Sequence, residues 1–250
     1  MSIATVNNGE LTPLAVGNTK IVASTWDGLI SDTAEIIVAE KIPAGWESMD
    51  IGAVGAPGSA GFNNNSFVIQ GSGYDIEENM DEFRFVYQSK SGDFAITAKV
   101  DSMTNPHISA KAGVMIREDL SADSRMAYMP LTHYGTFFQR RAGKGGVSQE
   151  TPVDYTILPP YWVKVLRLGN TFEGFTSPDG ITWTSYGSFS INMAQNVYAG
   201  LAVTSHNDGQ ICTAFLDNVS IKDTTIVGIQ ENNLNKTIKL YPNPSHQQNV

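Results

Sequence analysis

The chain has 250 residues, of which 41% are hydrophobic and 10% aromatic, which suits a packed core and excludes disorder throughout. A formal charge of −9 argues against a general nucleic-acid-binding surface. No apolar run approaches the roughly 18 residues a membrane helix needs, and the first residues lack a basic segment followed by an apolar one. The 23 glycines and 11 prolines suit short strands joined by tight turns. Cys212, the lone cysteine, permits no internal disulfide and reads as a small buried hydrophobe.

Residues 1–40 contain two strand-like runs, 20–25 and 33–39, separated by Trp26-Asp27-Gly28. So short a piece is too small to bury a two-sheet core alone. The next section, 44–222, alternates strand and turn without a sustained helical period. Phe83, Phe85 and Tyr87 alternate with Arg84, Val86 and Gln88, and Phe94, Ile96, Ala98 and Val100 alternate with more polar neighbours, so each run has an apolar face. Further strands are expected at 113–117, 126–132, 136–141, 162–168, 170–175, 181–189, 198–205 and 212–221. Asp179-Gly180 between two of these runs is a strong hairpin signal. Ten to fourteen short strands predict an all-β, two-sheet antiparallel jelly-roll sandwich rather than a seven-stranded immunoglobulin sandwich. Residues 223–236 read as a linker, and 237–250 end in Ile238-Lys239-Leu240-Tyr241-Pro242-Asn243-Pro244-Ser245.

Three resemblances follow the same division. Ala4-Thr5-Val6, Gly9, Ala15-Val16-Gly17-Asn18-Thr19-Lys20-Ile21 and the run 34–38 resemble the C-terminal half of a group 2 bacterial immunoglobulin-like domain. Within 44–222, Ala112-Gly113-Val114-Met115-Ile116-Arg117-Glu118, Phe138-Gln139-Arg140-Arg141, Tyr161-Trp162-Val163-Lys164, Gly169-Asn170-Thr171-Phe172 and the run 200–207 resemble concanavalin A-like, laminin-G-like jelly-roll modules of secreted bacterial polysaccharide-degrading enzymes. Asp50-Ile51-Gly52 and Phe215-Leu216-Asp217-Asn218-Val219 fit that pattern's two ends. The Tyr-Pro-Asn-Pro ending is similar to the start of a type IX secretion sorting domain, which implies export from a Bacteroidetes-type cell and a piece of a longer chain.

Strand parity carries the first functional expectation. If Val114, Ile116, Phe138, Leu201 and Val203 point inward, then Arg117, Gln139, Arg141, Thr204 and His206 share the opposite, concave face. Guanidinium and amide forks there would grip sugar hydroxyls, or a carboxylate or sulfate of an anionic polysaccharide. The alternative is that the arginines pair with Glu118, Asp119, Glu150 or Asp154 and only hold strands in place. Tyr134, Tyr155 and Tyr161 are candidate sugar-stacking platforms, while Trp162 and Trp183 are expected in the core. The jelly-roll resemblance implies that Asp50 and Asp217 stand on neighbouring strands, where with Asn218 they would hold a structural Ca2+ ion; the alternative is two ordinary carboxylates at strand ends.

Catalytic motifs are absent, and the carboxylates of the acidic run 75–82 are not spaced as laminarinase-type glycosidases require. The expected function is a non-catalytic carbohydrate-binding accessory module beside a catalytic domain of the same full-length chain. A structural spacer or protein-recognising adhesion module is the alternative from another class. A polysaccharide lyase using Arg117, Gln139, His206 and Tyr134 is a third reading.

Overall fold

The computed structural model describes residues 2–224, and every regular element among them is a strand. Residues up to Val38 form two separate hairpins, β1 (Ala4–Asn7) with β2 (Glu10–Pro13), and β3 (Gly17–Ser24) with β4 (Ser31–Val38). The chain then runs through β5 (Glu47–Ile51), β6 (Ser59–Asn63), β7 (Ser66–Gly71), a small hairpin of β8 (Ile76–Glu77) and β9 (Met80–Asp81), β10 (Phe83–Ser91) and β11 (Phe94–Met103). It continues with β12 (Lys111–Arg117), β13 (Met126–Leu131), β14 (Gln139–Arg141), β15 (Gln149–Glu150) and β16 (Tyr161–Leu168). The last strands are β17 (Thr171–Ser177), β18 (Thr184–Ser190), β19 (Asn196–Thr204) and β20 (Cys212–Asp223).

Two antiparallel seven-stranded sheets make the sandwich. Sheet one has the order β15-β14-β13-β12-β19-β10-β5, and sheet two β18-β17-β16-β11-β20-β7-β6. This is the two-sheet jelly roll that the strand pattern predicts. The core between the sheets is apolar, with Val86, Val114, Ile116, Phe138, Leu201 and Val203 of sheet one set against Ile69, Phe94, Ile96, Val163, Val165 and Phe172 of sheet two. Gly174 of β17 is required there, because a Cβ would lie 2.7 Å from Cγ of Phe138, which crosses from the opposite sheet.

Sheet one buries its other face as well. Phe83, Phe85 and Tyr87 do not point into the inter-sheet core, where Val86 sits, but join Ile51, Met115, Met126, Tyr128 and Ala202 in a second apolar cluster on the outer side. All seven residues of β12 and all six of β13 are consequently buried, the signature of strands covered on both faces.

Other expectations are corrected in detail. The Asp179-Gly180 turn joins β17 and β18, but over six residues, 178–183, rather than as a two-residue turn. Asp179 accepts the backbone N–H groups of Ile181 (2.8 Å) and Thr182 (2.7 Å), and Gly180 adopts φ +74°. Trp162 and Trp183 lie outside the inter-sheet core, half-buried on the outer side of sheet two, where Lys164 Nζ sits 4.0 Å from the Trp183 ring and 4.2 Å from that of Phe175. The linker from 225 onward and the sorting segment 237–250 lie outside the described residues.

Candidate functional site

The outer face of sheet one is organised by a strap, residues 72–82, whose β8–β9 hairpin crosses the ends of β12, β13 and β14. Parity puts Arg117, Gln139, Arg141 and Thr204 on that face as expected, but all four are buried rather than open to solvent. The acidic run itself covers them. Arg141 donates to Asp81 (2.6 and 2.9 Å) and to the carbonyls of Glu77 (3.0 Å), Glu78 (3.1 Å), Gly146 (2.9 Å) and Ser124 (3.1 Å). Arg117 reaches the same Asp81 carboxylate at 3.5 Å and donates to the carbonyls of Asp119 and Ser121. Gln139 donates to Ile76 O (2.6 Å), and Thr204 to Gly73 O (3.2 Å) and Glu82 O (2.9 Å).

Asp81, Arg117 and Arg141 are fully enclosed. Burial pushes the Asp81 carboxyl up from its ordinary value, with both guanidiniums pulling it back. Burial likewise draws Arg117 down to about 10, which leaves it charged at neutral pH. The cation cluster is therefore neutralised from within, and its acidic partner is Asp81 rather than Glu118, Asp119, Glu150 or Asp154. Three of those four are engaged elsewhere: Glu118 with Arg125, Asp119 with Lys144, and Asp154 with the Tyr186 hydroxyl.

Beyond the strap, one end of the sheet remains accessible. Here a chain of contacts runs from Tyr155 to Tyr134 (ring centroids 6.3 Å), to Phe137 (6.4 Å), and to Lys111, whose Nζ lies 5.8 Å from the Phe137 ring. Lys111 pairs with Asp75 at 2.5 Å, Asp75 binds His206 Nδ1 at 2.8 Å, and the His206 ring stacks between those of His107 (4.4 Å) and Tyr74 (6.0 Å). Tyr155 and Tyr74 are 70% and 66% exposed, enough to offer a ring face.

The polar groups along this cleft are oriented. His107 Nδ1 accepts the backbone N–H of Ser109 (3.1 Å), so its neutral ring presents Nε2–H as a donor. Asp75 accepts Nδ1–H of His206, leaving Nε2 without a hydrogen-bond partner among the described residues. Glu77 is raised from its ordinary value, first by burial and then by the Asp75 carboxylate, with Lys111 opposing. Tyr134 is raised by burial and then by Glu150 and Asp75. Gln139 Oε1 is buried and has no hydrogen-bond partner. Ring faces flanked by alternating donors and acceptors suit a pyranose, whose C–H faces stack while its hydroxyls both give and take.

Of the residues expected from the sequence, Tyr134, Tyr155 and His206 meet here, with Gln139 beneath. Tyr161 does not: it opens β16 and packs against the inter-sheet core. The calcium expectation is not met by the geometry. Asp50 belongs to β5 of sheet one and Asp217 to β20 of sheet two, so the two strands are not neighbours. Asp50 instead meets Arg84 (3.2 Å) and the N–H of Gly58 (3.1 Å), while Asp217 accepts the side-chain amide of Asn218 (3.0 Å). Among the described residues no group of three or more His, Cys, Asp or Glu is placed to hold a metal ion. Sequence reasoning missed Tyr74, Asp75, Glu77, His107 and Lys111. The acidic run was visible, but its role as a cover for the cationic face needed the fold.

No protein-family model matches this chain, and no curated protein matches it in sequence. Solved structures do resemble it. A functionally unknown protein from Saccharomyces cerevisiae is 12% identical, with TM-score 0.59 over 73% of this chain and 98% of that one. The GH43 protein BlXynB of Bacillus licheniformis is 12% identical, with TM-score 0.51 over 64% of this chain and 33% of that one. A protein described as an immunostimulatory antigen and pseudo β-1,3-glucanase of Mycobacterium tuberculosis is 10% identical, with TM-score 0.50 over 75% of this chain and 94% of that one. At these identities the likeness establishes the fold.

Proposed function

We propose that residues 44–222 are a carbohydrate-binding module of an exported polysaccharide-active protein, holding glycan near a catalytic domain elsewhere in the full-length chain. The observation that carries this reading is the Tyr155 cleft, a row of rings at one end of sheet one in which exposed Tyr155, half-buried Tyr134 and the Tyr74–His206–His107 stack lie above the buried Lys111–Asp75 pair. The fold that this chain shares with BlXynB covers only part of that GH43 protein, 33% and 46% in two structures of it, which is compatible with a module beside other domains. Export follows the resemblance of residues 237–250 to a sorting domain, and residues 1–40 are the immunoglobulin-like spacer that precedes the module.

The anionic preference loses its basis, because Asp81 occupies both guanidiniums and the accessible charges near the rings are the carboxylates of Glu77 and Glu150. Neutral sugars fit better. The lyase reading also loses its convergence, since Arg117 and Gln139 lie beneath the strap while Tyr134 and His206 lie at its edge. One observation favours a protein-recognising role for the first 40 residues: Trp26, Leu29 and Ile30 at the β3–β4 turn are 99%, 83% and 70% exposed.

Affinity electrophoresis through gels containing neutral or uronate polysaccharides tests the module. Retardation by a neutral polymer, reduced about five- to tenfold in affinity by Tyr155→Ala as loss of one stacked ring predicts, supports the proposal. Unretarded migration through every gel of the panel would refute it.

A further inference from the structure

At the other edge of the sandwich, beside β5 and β6, a groove of about 280 Å³ is lined by Pro43, Trp46, Phe62, Asn65, Phe67 and Asn218, none of them charged in a chain of net charge −9. Its base is rigid. Phe67, 3% exposed, is fixed in the core and holds Trp46 at 4.9 Å and 58° and Phe62 at 5.0 Å and 71°, so the two half-buried rings form a corner. Neither ring needs to reorganise before something stacks on it.

The groove's two polar side chains, Asn65 and Asn218, are exposed and keep hydrogen-bonding capacity free for a ligand. Asn65 sits in the β6–β7 turn at φ +65°, and its side chain makes no hydrogen bond among the described residues. Asn218 sits at φ +52° in β20, beside an irregularity where that strand shifts register against β11 between Thr97 and Lys99. Bulges of this kind re-aim a side chain. The Asn218 amide N–H2 is tied to Asp217 at 3.0 Å, which fixes the plane and leaves its carbonyl oxygen as an acceptor. The Trp46 indole N–H also finds no partner among the described residues.

From this geometry we infer a second ligand site, which binds one uncharged pyranose unit of a glycan, stacked on Trp46 and Phe62 and bonded by Asn65, Asn218 and the indole N–H. The ligand is neutral because the lining offers no charge to a uronate or an amino sugar, and cyclic because the corner of rings matches a flat apolar face edged by hydroxyls. A protein strand is a poorer occupant, since the groove lies at the β6–β7 turn and the backbone of Phe62 in edge strand β6 is already paired with Glu40. With the Tyr155 cleft on the opposite side of the sheet order, one chain would engage two points on a polysaccharide, and the second contact would form at raised effective concentration.

The test uses the full chain, 15N-labelled, titrated with cellohexaose, laminarihexaose and xylohexaose while the Trp46 indole and cleft amides are followed separately. At least one hexasaccharide should shift the Trp46 indole N–H in a saturable way. The double variant Asn65→Gly/Asn218→Gly retains residues suited to positive φ and removes only the amides. It should weaken that titration about tenfold, as loss of two neutral hydrogen bonds implies, and leave the cleft titration unchanged. A Trp46 signal unmoved by all three sugars overturns the inference, as does a double variant that binds like the parent. Shifts at Trp46 without shifts near Tyr155 would uphold this site and remove the cleft proposal, so the two fail separately.

Discussion

Replacing Asp81 by Asn tests whether charge holds the strap on the sheet. The side chains of Asp81, Arg117 and Arg141 are each 0% exposed, so no water is available to take over the lost partner. Asn keeps the shape but turns N–H donors toward guanidinium N–H groups, and Arg117, with its pKa drawn down only to about 10, stays charged at pH 7. Breaking a buried pair from one side costs about 3–5 kcal/mol. For a domain of this size 1 kcal/mol moves the melting midpoint by about 2–4 °C, so Asp81→Asn should lower it by about 6–20 °C. Lys144→Ala is the control. Lys144 is 45% exposed and its partners Asp119 and Asp123 are each 39% exposed, so solvent screens both pairs and the midpoint should hardly move. Calorimetry at pH 7 gives the midpoints, and hydrogen exchange reports the strap through the Asp81 amide, which donates to Ala122 O at 2.9 Å. A variant that melts within about 2 °C of the parent, with the strap amides equally protected, would refute the electrostatic account.

Other consequences are independent of the strap. Gly174→Ala places a methyl against the Phe138 ring and should cost about 1–3 kcal/mol by overpacking; an unchanged denaturation midpoint would show that the sheets can part without penalty. Asp179 is held down to about 2, first by the N–H of Thr182 and then by that of Ile181. A depressed carboxyl stabilises its turn fully above its ordinary 3.8 and loses that contribution as pH falls toward about 2, so the Ile181 and Thr182 amide resonances should titrate near 2; a midpoint at 3.8 would sever the link. Burial pushes the Cys212 thiol up to about 12, so alkylating reagents at pH 8 should label it only after denaturation, and rapid native labelling would contradict its placement.

Period-2 alternation made much of this fold legible. Val114 against Met115, Phe138 against Gln139 and Leu201 against Ala202 all face as their parity implies, because one strand cannot rotate without exposing its core side. Parity says which face a side chain takes, though not whether water reaches it. Arg117 and Arg141 look like surface residues in a strand pattern, and only the long-range return of residues 72–82 turns them into buried ligands of Asp81. The apolar run of β10 was similarly ambiguous: Phe83, Phe85 and Tyr87 announce a buried side without saying which of two layers buries it. Tyr134 and Tyr155 were readable as loop aromatics beside glycine and proline, whereas Lys111 and Asp75 carry no local sign of their pairing across 36 positions.

The strap leaves sheet one with no bare lattice of side chains for evolution to redraw. In the proposed module recognition falls to four turns, around residues 107, 134, 155 and 206, each joining a different pair of strands. Exchanging one of them alters a single wall of the cleft while three layers of packing stay intact. A library built on those turns should therefore retain its melting behaviour while its sugar preference diverges, the opposite of what randomising Arg117, Gln139 and Arg141 would give.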